Sequence, residues 1–363
     1  MLYLAKYSVE IIPLRGEFVN IPCLLRTILK WQFWSGNPIQ AHVDTFIEAV
    51  SPKVVITVID NNANFYTIHS RFPDIKTIFF QNGVRGGSSD ALSTIAPSDK
   101  CHVDYMFVFS AAVGKMYQKY ISGTYIAGGS LRNNAVKKSN EVSNCAVLFI
   151  SQYRDKPENN LPFAIYNNGR EIYWNEFYAA ETETLNFLSK WCARNNRSLQ
   201  IAAASLDQQC DERDFYAARL TECSWDYIPR VNGYSSYKLV GTAEIVVSID
   251  STLGYESIAL GKKTAVFSCR GTILNDKSRG FSWPAALPEN GPFWTNEADE
   301  KQFQRIMDYL NTVDDEEWEQ TRQLYASEIM EFDPGNKRFV ALLDQLLPKT
   351  RINSPTGSNV QSL

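Results

Sequence analysis

A chain of 363 residues with net charge −4, 44% hydrophobic and 21% charged residues, has room for two compact domains and the balance of an ordinary soluble globular protein. That acidic balance argues against a nucleic-acid binder, which carries a basic face. No run approaches the ~20 consecutive apolar residues of a membrane span. The start, Met1 to Lys6, lacks the features of a signal peptide. Seven scattered cysteines without a CxxC pair suggest neither zinc nor a disulfide framework, and a reducing cytoplasm is the expected compartment.

In chain order, Ser8–Pro13 is the one segment able to serve as an opening strand, followed by a turn at Arg15-Gly16-Glu17 and a helix from Ile21. The first domain is therefore expected to be short by a strand and helix, or truncated at its start. The helix Ile21–Trp34 mixes Leu24, Leu25, Ile28 and Trp31 with Arg26 and Lys30. Core packing of an amphipathic helix is the expected role, with rest on an anionic membrane surface as the alternative. Short apolar strands then alternate with helices: strand Lys53–Asp60, helix Asn64–Phe72, strand Thr77–Phe80, strand Asp104–Ser110, helix Ala111–Tyr120 and strand Thr124–Ala127. This is the pattern of a parallel α/β sheet. Residues 133–144, polar throughout, read as a linker. A second series follows, with strands Cys145–Ile150, Leu199–Ala203, Trp225–Pro229, Glu244–Ile249 and Thr264–Ser268 between helices. The expected division is an acceptor domain over 1–132, a nucleotide-binding domain over 145–332, a C-terminal helix over 333–348, and a disordered tail over 349–363.

Two such domains facing each other bring their strand carboxyl ends to one crevice. The first supplies Asp60-Asn61-Asn62, Gln81-Asn82-Gly83 with Arg85, and Ser110. The second supplies Gln152 and Arg154, Pro229-Arg230 with Ser235 and Ser236, Asp250-Ser251-Thr252, and Arg270. Ser251 and Thr252 stand where a helix needs an N-cap, Gly254 permits close approach to the backbone, and Glu256 lies one turn on. A helix start at the edge of a parallel strand can hold a phosphate, though a plain capped helix has the same pattern. Asp60 is the candidate base for an acceptor hydroxyl, with Gln81 and Asn82 to orient it and Arg85 to offset charge. An Asx turn is the plainer reading of Asp60, and Asp90 is a competing base. His42, His69 and His102 show no metal-ligand spacing, so no metal is expected. The aromatic, Pro- and Gly-rich segment 281–294 is expected to fold over the cleft.

The segments PKVVITVIDNN (52–62), FQNGVRG (80–86), YMFVFSAAVG (105–114), FISQYR (149–154), IPRVNGYSSYKL (228–239), IDSTLGYESIALGKK (249–263) and FSWPAALPENGPFWTN (281–296) together resemble a family of bacterial surface-carbohydrate biosynthesis proteins. That family is GT-B-like, with two Rossmann-like domains about a cleft. The second half is also similar to the nucleotide domain of UDP-N-acetylglucosamine 2-epimerases and related transferases. There the strand–Asp-Ser–Gly–helix-Glu segment holds diphosphate and ribose, which the resemblance carries to Asp250, Ser251, Thr252, Gly254 and Glu256, with Pro229-Arg230 framing the base. The epimerase catalytic carboxylates and histidine have no clear counterparts in this chain.

The resemblance implies a metal-independent glycosyltransferase that uses a nucleotide-sugar as substrate, needs no cofactor, and acts on a glycan or lipid-linked acceptor of O-antigen or capsule type. Its expected place is the cytoplasm, with peripheral contact at the inner membrane face. A nucleotide-sugar epimerase, a CDP-linked polyol-phosphate transferase and a silent scaffold remain open alternatives.

Overall fold

The computed structural model describes residues 2–11, 20–30, 34, 36–85, 100–137, 146–166, 168–204 and 210–347. Helices α1 (Ile21–Ile28) and α2 (Pro38–Val50) carry a proline in their first two positions, Pro22 and Pro38, after the asparagine N-caps Asn20 and Asn37, where the missing proline N–H costs nothing. They lead into strand β1 (Val54–Thr57), the short helices α3 (Ala63–Tyr66) and α4 (Ile68–Arg71), and strand β2 (Lys76–Phe80). Strand β3 (His102–Val108), helix α5 (Ala111–Tyr117) and strand β4 (Ser122–Ala127) complete a four-stranded parallel sheet in the order β1-β2-β3-β4. Segment 8–11 is not a strand, and residues 12–19 lie outside the described residues. The described part of this lobe thus opens on β1, without the expected Ser8–Pro13 strand.

The second lobe starts at β5 (Ala146–Ile150). A two-stranded hairpin, β6 (Ala164–Ile165) and β7 (Glu171–Ile172), precedes helices α6 (Trp174–Phe177) and α7 (Ala179–Arg194). Then come β8 (Ser198–Ala202), α8 (Cys210–Ala217), β9 (Trp225–Ile228), α9 (Ser235–Thr242), β10 (Ile245–Ser248), α10 (Thr252–Ala259), β11 (Lys263–Phe267), α11 (Arg270–Ile273) and β12 (Trp294–Thr295). The sheet is parallel, ordered β12-β11-β10-β5-β8-β9. Its central strands are buried along their whole length, which is why they read as unbroken apolar runs rather than alternating ones.

Helices α12 (Glu300–Thr312) and α13 (Asp315–Ile329) cover this lobe, and α14 (Lys337–Leu346) returns to the first. Phe339, Leu342 and Leu343 of α14 pack on Ile78, Phe80 and Phe107 of the first sheet. The lobes are therefore joined by two crossings of the chain. At their meeting point Gly129 adopts φ +71°, and a Cβ there would lie 2.0 Å from the Glu331 carbonyl oxygen, so only glycine fits. Nor is the start of the 133–144 segment a solvated spacer. Asn133 and Asn134 are buried, and the Asn134 side-chain amide donates to Gly128 O (2.6 Å) and Asn336 Oδ1 (3.0 Å). Residues 138–144 and the tail 348–363 lie outside the described residues.

Helix α1 departs from the expected core packing. Ile21, Leu25 and Leu29, at i, i+4 and i+8, are 66%, 60% and 87% exposed, with Trp34 and Ile39 exposed nearby. The face turned inward carries Cys23 and Thr27 instead. No described helix is long and apolar enough to cross a membrane.

Candidate functional site

The carboxyl edges of the two sheets meet. After β10 the chain turns at Asp250, and Ser251 caps α10 by accepting from Leu253 N at 3.3 Å. Thr252 Oγ1 accepts from Val84 N of the first lobe at 3.2 Å, so the loop after β2 rests on the start of α10. A small cavity between the lobes is lined by Gln81, Val84, Arg85, Tyr255 and Trp283, among others. Trp283 packs against the first core, while Phe281, Phe293 and Trp294 are buried in the second. The aromatic segment thus lies across the junction, with Ser282 N donating to Tyr255 OH at 2.9 Å.

Several of the expected site residues hold one another rather than facing a ligand. Asp60 is fully buried. Arg85 grips its carboxylate with two nitrogens, Nε at 3.0 Å and Nη2. Tyr117 OH also donates to it, as does Asn82 N at 3.2 Å. Burial, then the Asp60 charge beside it, pushes the Tyr117 phenol well above its ordinary pKa. A general base must reach its substrate's proton, and Asp60 has no such access. It is the anchor of the Arg85 loop, not an exposed base, and Arg85 is correspondingly neutralised. Gln81 is occupied at both ends of its amide: Oε1 accepts from Phe109 N (2.8 Å) and Nε2 donates to Gly83 O (2.9 Å). Asn82 remains exposed, its Oδ1 held by Arg85. Gly86, Gly87 and Asp90 lie outside the described residues.

The second lobe repeats the pattern. Arg270, 1% exposed, lies between Asp250 and Glu181, bonded to both carboxylates, with Nε donating to Phe177 O at 3.2 Å. Arg279 approaches Asp250 from the other side at 3.5 Å. Burial works to raise the Asp250 pKa, but Arg270 and Arg279 win and hold it below the usual carboxylate value. Glu181 goes the other way: burial outweighs Arg270 and raises it. Arg270 is thus matched by carboxylates and is not available to neutralise a phosphate as its sequence position suggested. Glu256 is also buried, accepting from Ser130 Oγ of the first lobe and from Tyr237 OH at 2.9 Å. The Asn133 side chain donates to its carbonyl at 3.1 Å. Glu256 is therefore a tie between lobes, not a group reaching for a sugar hydroxyl. At Gly254 the close neighbour is the Ser248 side chain, 2.5 Å from where a Cβ would stand, so helix–strand contact rather than a ligand explains this glycine. Ser235 Oγ closes its own turn through Val231 N (3.1 Å) and Asn232 N (3.3 Å).

The residues left able to meet a ligand line the same edge. Gln152, after β5, has its Oε1 buried without a partner. Arg154 is exposed, and Arg230 and Ser236 are half-buried. In the strand order β10-β5-β8-β9, Arg230 stands three strands from Asp250, about 14 Å at the usual strand spacing. It can therefore address a different part of an extended ligand.

Sequence reasoning missed Tyr117, Glu181, Ser130, Tyr237 and Arg279. Of these, only Glu181 left a trace: an acid on the face of α7 that buries Leu185 and Leu188. The histidines, read as unrelated, are not: His69 and His102 stack with ring centroids 4.2 Å apart beside Asp104.

Residues 78–347 match the family described as "putative O-antigen biosynthesis protein". No curated protein matches the chain in sequence. Its fold is similar to that of a putative UDP-N-acetylglucosamine 2-epimerase from Listeria monocytogenes, at TM-score 0.54 and 10% identity over 88% of this chain and 81% of that one. A glycosyltransferase from Rickettsia africae is similar at TM-score 0.50 and 11% identity, over 94% of this chain and 85% of that one. At such identities the likeness concerns the fold alone, which is GT-B-like: two Rossmann-like parallel-sheet domains facing a cleft.

Proposed function

Because this chain belongs to the O-antigen biosynthesis family that its residues 78–347 match, we propose that it is a glycosyltransferase using a nucleotide-sugar donor. The observation that carries this reading is the capped start of α10, placed at the junction of the lobes and overlain by the loop at Val84. Helix N-terminal amides favour an anion, and a diphosphate entering there displaces the Val84–Thr252 contact. Ser251, Thr252 and Arg154 then stabilise the leaving diphosphate without a metal ion. Gln152 Oε1, without a partner, accepts from a sugar hydroxyl of the donor, and Arg230 with Ser236 reaches the nucleoside end. Asn82, held in place by the Arg85–Asp60 pair, orients the acceptor hydroxyl.

A lipid-linked acceptor accords with the outward Ile21–Leu25–Leu29 stripe and Trp34, which we propose rests on an anionic bilayer. Flotation with anionic vesicles tests this: wild type should co-float, and Leu25→Glu/Leu29→Glu should not.

The activity test is nucleoside diphosphate release from a panel of nucleotide-sugars, with and without a membrane fraction containing acceptor. Acceptor-dependent release is expected. An epimerised donor formed without acceptor would instead establish the epimerase reading. Release of CMP from a CDP-polyol would establish polyol-phosphate transfer.

A further inference from the structure

At the amino-terminal edge of the first sheet, far along the strands from the crevice, three groups converge. His102 and Asp104 share one face of β3, and α4 presents His69 to them. His102 Nε2 stands 3.9 Å from Asp104 Oδ1, and His69 Nδ1 stands 4.0 Å from Asp104 Oδ2. One ligand atom from each of the three lies within 4.8 Å of the others.

Ser122 Oγ lies 2.9 Å from His102 Nδ1 and within hydrogen-bond reach of Cys101 O at 3.2 Å. With Ser122 Oγ as acceptor for Nδ1–H, the lone pair of the neutral ring lies on Nε2, the nitrogen that faces the carboxylate. His69 Nδ1 is buried with no hydrogen-bond partner. Two imidazoles and a carboxylate thus converge on a common point. An imidazole whose second nitrogen is held by an acceptor is the usual form of a metal-binding histidine.

We propose that His69, His102 and Asp104 form a binding site for a divalent transition metal of the Zn²⁺ or Ni²⁺ class. Ligand atoms about 2.1 Å from a tetrahedral centre stand about 3.4 Å apart, so groups whose ligand atoms lie within 4.8 Å of one another each move by up to about 0.7 Å to close on the ion. Imidazole and carboxylate donors suit these ions, and water completes the shell. Asp104 Oδ2 keeps its bonds from Thr77 N and Oγ1, both 3.0 Å. Lys76 Nζ, 2.8 Å from Asp104 Oδ1, competes for the place, and with 43% of its side chain exposed it can swing into solvent. The bound ion clips α4 to β3 and, through Ser122, to β4.

The test is titration of untagged wild-type protein with Ni²⁺ and Zn²⁺ against a chromogenic chelator at pH 7.5, with melting temperature followed in parallel. One ion per chain is expected, with a raised melting temperature. His69→Gln and His102→Gln should each weaken binding at least ~tenfold, and Ser122→Ala, which frees the tautomer, about tenfold. Lys76→Gln should tighten it by removing a like charge. Folding of each variant is checked by circular dichroism without metal. Binding that is absent, or equal in wild type and both histidine variants, overturns the assignment, as does weaker binding in Lys76→Gln.

Discussion

Arg270 is a buried charge bonded to two carboxylates, and Arg270→Met tests what it holds in place. The guanidinium separates Asp250 from Glu181 with 1% of its own surface exposed. Methionine preserves much of the apolar stem but leaves Glu181 without its cation and Asp250 with Arg279 alone, at 3.5 Å. Removing one partner of a buried ion pair costs about 3–5 kcal/mol. At about 2–4 °C per kcal/mol for a unit of this size, the melting temperature should fall by roughly 6–20 °C at pH 7 in calorimetry. The pH dependence gives an independent check. In wild type the depressed Asp250 pKa contributes stability above the ordinary carboxylate value of 3.8 that is lost as pH falls through the folded pKa. Without Arg270 the folded pKa of both carboxylates rises, that of Glu181 further above its unfolded value, so the variant gains from protonation. The deficit should shrink as pH is lowered toward 4, and Arg270→Met/Asp250→Asn/Glu181→Gln should recover most of it at pH 7. A variant that melts within about 2 °C of wild type, or whose deficit is independent of pH, would refute the reasoning.

Other outcomes follow from the same geometry. Burial raises the folded pKa of Glu256 against the hydrogen bonds from Ser130 and Tyr237. Its contribution is therefore fully present below the unfolded value of 4.5 and is lost as pH rises through the folded one. Melting curves of Glu256→Gln should consequently lose less stability than wild type between about pH 5 and pH 7. Ser248 Oγ is buried without a partner, so Ser248→Ala should be neutral or stabilising by up to about 1 kcal/mol in chemical denaturation. Gly254→Ala should be destabilising by roughly 1–3 kcal/mol through overpacking and partly rescued by Ser248→Gly, which removes the clashing atoms. Gly129→Ala, with backbone against backbone, should cost more than about 2 kcal/mol and have no such rescue.

The second lobe was legible because its strands are covered on both faces: Val147–Phe149 and Ile245–Val247 are apolar without a break, and only a central parallel strand needs that. The helix start at Ser251 was legible for a local reason, since an N-cap is set by residues within one turn. Orientation across distance was not. Helix α1 has an apolar stripe that periodicity assigns to a core, yet it packs on α2 and buries Cys23 and Thr27 instead. Asp60 and Asp250 are rightly placed at strand ends, but their partners Tyr117, Arg85, Glu181 and Arg279 reach them only through the tertiary fold. An acid's sequence position says nothing of whether its lone pairs are already filled. The same holds for His69, which the pairing of β2 with β3 and the packing of α4 bring to His102. Only the His102-x-Asp104 alternation on one strand face was there to be read.

The central claim is that a nucleotide-linked donor enters between the lobes and is held at the start of α10. Hydrogen–deuterium exchange with saturating nucleoside diphosphate tests it most directly, because it reports the amides themselves. The account predicts slowed exchange at 251–254 and 152–154, with faster exchange at Val84 as its bond to Thr252 is displaced. Protection confined to other surfaces, or unchanged exchange at 251–254 while the nucleotide is demonstrably bound, would contradict it.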